Sequence, residues 1–143
     1  MANEVALTAA QIGVVDPIKA TIRSYTAGST ITKGQAVAIN SDKFVDPADA
    51  STGGALLIQF RGIALNAAAA GQPVDVLHDG EMYGFTVSGL TCGDVLYLSN
   101  TVGALSTVAG DVNVKCGVVT ALNDSPTYTL VARIVTTWTT VWA

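Results

Sequence analysis

The sequence predicts an all-β fold: a small barrel or sandwich of short antiparallel strands with an internal pseudo-duplication and an extended N-terminal arm. Three observations carry this. First, a unit occurs twice. Thr32-Lys33-Gly34-Gln35-Ala36-Val37-Ala38-Ile39-Asn40 is echoed by Thr91-Cys92-Gly93-Asp94-Val95-Leu96-Tyr97-Leu98-Ser99-Asn100. Each copy leads through a short apolar pair to a Gly-led strand, Gly62-Ile63-Ala64-Leu65 or Gly117-Val118-Val119-Thr120, and closes on an alternating strand. Second, turn signals recur every 8–12 residues or so, the spacing of a sandwich or barrel. Third, the helical patterns of roughly 10–15 residues that a parallel α/β fold needs between its strands are absent.

Taken in order, residues 1–17 read as an arm, ended by Asp16-Pro17 because proline biases its predecessor toward extended backbone. Val5, Leu7, Ile12, Val14 and Val15 are rather apolar for a free tail. They are expected to dock on a neighbour or a partner, with packing on the chain's own domain as the alternative. The β domain spans 18–135. Ile18–Tyr25 alternates apolar with polar, the mark of a half-buried strand. Gln35–Ile39 and Lys43–Val45 form a hairpin around Asn40-Ser41-Asp42. Residues 46–54 are a loop, and residues 56–65 return to strand. Asn66–Gly71 could form one helical turn, cut short by its glycine.

Val74–His78 and Glu81–Val87 are expected as a second hairpin, because Asp79-Gly80 is a good two-residue turn signal. Val95–Leu98 with Ala104–Ser106, and residues 113–121 with residues 127–135, complete the sheet. The tail, 136–143, holds both tryptophans. On a strand, Trp138 and Trp142 would share a face. They are assigned to a subunit interface, with the chain's own core as the alternative.

Composition narrows the function classes. The chain has 143 residues, enough for one domain. Hydrophobic residues make up 50% and charged residues 13%, against a usual charged share of about 25%. So neutral a surface points to one covered in part by a partner. Net charge is −4, and no two of Lys19, Arg23, Lys33, Lys43, Arg61, Lys115 and Arg133 are adjacent. Nucleic-acid binding and anionic-membrane binding, which need clustered cations, are therefore not expected. Mean hydropathy is +0.46, but the uncharged stretch 95–110 is full of Ser, Thr, Asn and Gly, unlike a spanning helix. A secretory signal pattern is not seen at residues 1–4, so synthesis in a cytoplasm is expected.

Chemistry is sought and not found: no catalytic, metal-binding or cofactor-binding residue is assigned, and no small-molecule substrate is expected. His78, the one histidine, reads as an exposed turn residue. A Ser-His-Asp arrangement with Asp75 or Asp79 can be drawn, but the nucleophile-elbow sequence Gly-x-Ser-x-Gly is missing. Most carboxylates sit in turns, where they cap backbone groups, and neither an EF-hand loop nor a phosphate-binding glycine loop is present. Cys92 and Cys116 precede equivalent glycines. They read as two small buried hydrophobes, with a disulfide the minority alternative in a reducing compartment.

Gly34-Gln35-Ala36-Val37, the run from Phe60 to Val76, Gly93-Asp94-Val95-Leu96-Tyr97-Leu98, Gly103-Ala104-Leu105 and Cys116-Gly117-Val118-Val119 together resemble the small capsid decoration (cement, or auxiliary head) proteins of tailed bacteriophages. The resemblance covers roughly residues 18–135 and rests on glycine and apolar spacing. It implies a β-rich homotrimer on the virion exterior, bound to the major capsid protein of the expanded capsid and stabilising it against internal pressure, with no reaction catalysed. The alternative is a carbohydrate- or receptor-binding β module of a fibre or adhesion type, which would need exposed aromatics in a groove. A small hydrolase is the remaining reading.

Overall fold

In a computed structural model the described residues are 5–53, 57–87, 89–122 and 129–136. They form ten strands: β1 (Gly13–Val14), β2 (Thr21–Thr26), β3 (Ala36–Ile39), β4 (Val45–Pro47), β5 (Phe60–Ala64), β6 (Pro73–Tyr83), β7 (Val95–Leu98), β8 (Leu105–Ser106), β9 (Lys115–Ala121) and β10 (Leu130–Val135). A 3₁₀ turn, Ala9–Gln11, precedes β1. All named pairings are antiparallel, and the sheet curls into a half-barrel.

The strand order is β4-β3-β5-β6-β10-β9-β7-β8. This order is a palindrome of the two sequence units: β3 to β6 on one side, β7 to β10 on the other. The agreement extends to single bonds. Gly34 N–H donates to the Ala64 carbonyl at 2.9 Å, and Gly93 N–H to the Val119 carbonyl at 2.8 Å. Ala64 N–H returns a bond to Gln35, as Val119 N–H does to Asp94. Thr32 N–H is capped by the Gln35 side chain at 3.0 Å and Thr91 N–H by Asp94 at 2.9 Å. Gly34 and Gly93 take φ of +92° and +100°, a conformation available to glycine at little cost. Each half also carries a register shift at the same place, between Val37 and Ala38 against β5 and between Leu96 and Tyr97 against β9.

Strand β6 joins the halves. Leu77 is paired with Ile63 and Ile22, and Met82 with Val14 and Ala132. The hairpin expected at Asp79-Gly80 is therefore corrected: the chain runs straight through. Gly80 has φ of +151°, and a Cβ there would lie 2.9 Å from that of Ala20. The glycine thus serves close approach within a strand, and the dipeptide's turn preference yields to pairing with β10 and β2.

The core is two-sided. Ile63, Leu77, Met82, Leu96, Leu98 and Ile134 lie in the larger cluster, each fully buried and each stabilising the fold by roughly 2 kcal/mol. Ile31, Val37, Val45, Val74 and Val76 form a smaller cluster on the other face. Ala36, Val37 and Ala38 are buried in succession, because both faces of β3 are covered. The segment expected as a helical turn, 66–71, is not helical; Ala68 instead bridges to Ile31.

The first strand of the body differs from expectation. It begins at Thr21, and it is largely exposed. Ile18 is 95% exposed and Ile22 41%. Alternation in the sequence located the strand, but Ile18 and Ile22 lack a covering layer among the described residues, while Tyr25 packs on the smaller core cluster.

The N-terminal residues are part of the same body. Val5 N–H donates to Leu105, Thr8 N–H to Gly84, Thr86 N–H to Ala6 and Val15 N–H to Glu81. Val5 and Ile12 enter the larger core cluster, Val14 packs against it, Val15 is half-buried, and Leu7 is 37% exposed. Within the chain this segment packs on its own domain, which takes Val5 and Ile12 out of water.

Candidate functional site

The side chains with most chemical potential converge where β2, β5, β6 and the end of β10 meet. Strand periodicity puts Arg23 and Tyr25 on one face of β2. The register sets Arg23 opposite Val76 and Tyr25 opposite Val74 on β6, two residues that pack into the smaller core cluster. His78 lies one step further along the same face of β6. Its Nε2 is 2.5 Å from the Tyr25 hydroxyl, and its Nδ1 is 3.4 Å from the Thr136 hydroxyl. The two ring planes are nearly parallel, 9° apart, with centroids 5.8 Å apart.

Both ring nitrogens therefore have hydroxyl neighbours, and either hydroxyl can donate or accept. Burial, together with the Arg23 and Arg61 guanidinium groups, lowers the His78 pKa from its ordinary value of 6.5, while Asp79 opposes the shift weakly. These neighbours favour the neutral imidazole. The exposed turn histidine expected from the sequence is thus a partly buried strand residue, and its contacts are Tyr25 and Thr136 in place of a serine and a carboxylate.

Beside this junction lies a cleft of about 370 Å³ lined by Val15, Asp16, Lys19, Gly80, Glu81 and the pair Asp79–Arg133. Arg133 Nη2 stands 3.7 Å from Asp79 Oδ1, both half-exposed. Such a pair contributes little stability in water. Asp16 is engaged locally, its Oδ1 accepting from Ile18 N–H at 3.1 Å. The cleft carries both signs of charge at close range. Among the described residues, no group of three or more His, Cys, Asp or Glu side chains could hold a metal ion. No helix among them is long and apolar enough to cross a membrane.

Of the predicted arm residues, four gather at the larger core and one lies apart. Val5 and Ile12 are inside the core, Leu7 and Val14 lie on neighbouring parts of the same wall, and Val15 lines the cleft. Trp138 and Trp142 lie outside the described residues. Cys92 is exposed and Cys116 buried, both as free thiols, so the expectation of two buried cysteines holds for Cys116 and is corrected for Cys92. The Arg23, Tyr25, Arg61 and His78 group was not singled out from sequence. The Arg23-Ser24-Tyr25 spacing signalled two side chains on one strand face, but only the pairing of β2 and β5 with β6 brings Arg61 and His78 to them.

The chain matches none of the models of known protein families and shows no significant match to a curated protein.

Proposed function

We propose that this protein is a structural binding protein of the capsid-decoration type: a homotrimer that coats the outside of an expanded tailed-phage capsid and clamps its subunits. The observation that carries the reading is the duplication. The residues on which the resemblance to decoration proteins rests, around Gly34, Gly62, Gly93 and Gly117, are the same residues that build the two equivalent halves of the sheet. The role asks for a rigid body, since each side chain or loop ordered on docking costs free energy. A body whose strands are pinned through one shared strand, β6, limits that cost. Many modest contacts repeated over a lattice add up when the protein binds the assembled shell and not its free subunits.

The test is electron microscopy of purified protein mixed with phage heads before and after expansion, alongside its mass by light scattering. Regular added density on expanded heads, absent from unexpanded ones, with a trimeric free protein, is the expected result. A monomer that leaves both kinds of head bare overturns the proposal.

A further inference from the structure

The two sequence units turn opposite faces to the larger core. The matching bonds from Gly34 to Ala64 and from Gly93 to Val119 make Ala64 the counterpart of Val119. These two pair in turn with Val76 and Ala132. Val119 and Ala132 lie in the larger core cluster, Ala64 and Val76 in the smaller one. The face that the second unit turns inward is therefore turned outward by the first.

The same correspondence places three polar side chains together. The register of β5 against β3 passes over Arg61, as that of β9 against β7 passes over Cys116. Two residues beyond Val76 and Ala132 stand His78 and Ile134. Arg23 pairs with Val76 as Met82 pairs with Ala132. Cys116, Ile134 and Met82 are fully buried together in the larger cluster. Their counterparts Arg61, His78 and Arg23 thus share the outer face, on the three neighbouring strands β5, β6 and β2. Arg23 is exposed there, and Arg61 and His78 are half-buried.

We propose that Arg23 and Arg61, on either side of His78, hold an oxyanion of the phosphate class. Solvating this face needs only polarity, whereas two like charges about one ring repel each other. Neither guanidinium forms an ion pair among the described residues, so both remain open to a ligand. The ring between them is fixed from both sides by the Tyr25 and Thr136 hydroxyls, which gives the site a rigid floor. Each guanidinium offers a planar fork of N–H donors to a pair of oxygens. Two such forks match the charge of about −1.5 to −2 on a phosphate monoester at neutral pH better than the single charge of a carboxylate. The chain as a whole is net acidic, so its overall field does not gather anions. The proposal goes beyond the capsid reading and does not depend on it.

The experiment follows the imidazole resonances of His78, the one histidine, in the full chain at fixed pH and ionic strength. Inorganic phosphate, capped phosphoserine and acetate are titrated in turn. The phosphates are expected to shift the resonances saturably, and acetate at least about tenfold more weakly. The tighter of the two phosphates identifies the source, free or carried on a larger molecule. Arg23→Gln and Arg61→Gln are each expected to weaken phosphate binding about tenfold. Lys43→Gln removes an equal charge from the exposed β3–β4 turn and leaves binding unchanged. The proposal is overturned if neither phosphate saturates, or if acetate binds as well as they do. It is also overturned if Lys43→Gln weakens binding as much as the arginine variants, which would mark general charge attraction. Should Arg61→Gln not fold, the wild-type titrations and the exposed Arg23→Gln decide the matter alone.

Discussion

Gly62 and Gly117 are structural counterparts, each pressed against a backbone carbonyl of the next strand. A Cβ on Gly62 would lie 2.0 Å from the Leu77 oxygen, and one on Gly117 would lie 2.2 Å from the Arg133 oxygen. Neither carbonyl can move without breaking the sheet where the halves are built, on β6 or β10. Alanine at either position is expected to cost at least ~3 kcal/mol, the range of backbone-level clashes. Gly71→Ala is the control: it meets open space but keeps φ at +84°, which costs about 1–2 kcal/mol. Urea unfolding midpoints of the three variants rank them.

The N-terminal segment offers a second test. Ile12 is 6% exposed and packs against Gly84, where an added Cβ would lie 2.4 Å from the Ile12 Cδ1. Ile12→Ala is expected to lower stability by roughly 2–4 kcal/mol, as large-to-small core changes do. A freely hanging arm would show almost no change on chemical denaturation.

A third concerns pH. The His78 pKa is lowered in the folded protein from 6.5, so the unfolded chain binds the proton more readily. His78 therefore subtracts stability as pH falls below about 6.5, and its effect levels off once the folded-state value is passed. At neutral pH this penalty is absent. In His78→Gln the part of the stability loss between about pH 7 and pH 5 that belongs to the imidazole disappears, leaving the slope set by carboxylates. Equal slopes in the two proteins would refute the assignment.

The thiols give a fourth. Burial pushes the Cys116 thiol well above its ordinary pKa of 9.0, while Cys92 is exposed. Since the thiolate is the reactive form, a thiol reagent applied to native protein is expected to modify Cys92 alone. Cys116 joins it only after denaturant is added. Mass spectrometry of the labelled peptides distinguishes the two.

Much of the architecture was legible in the sequence because glycine and alternation carry local information. The hairpins β3–β4 and β7–β8 followed from their turn residues, and the repeated Thr-x-Gly units marked the two halves. What failed did so for non-local reasons. Asp79-Gly80 has the chemistry of a turn, yet the partners β1, β2, β5 and β10, far apart in the chain, keep β6 extended through it. Val5 and Ile12 looked like arm residues because their place in the core is made by Phe85, Leu105 and others distant in sequence. The Arg23–Arg61–His78 group was invisible for the same cause: no local pattern links residues that meet only through a shared neighbouring strand.

The mirrored strand order has a mechanical corollary. Its outermost members, β4 and β8, are counterparts, and the chain beside them is tied across: Ala36 N–H donates to the Gly103 carbonyl, Gly103 N–H to Ala48 and Ala50 N–H to Ser99. A pull between the two halves is therefore borne in parallel by this closure and by the seam of β6 with β10, four residue pairs long.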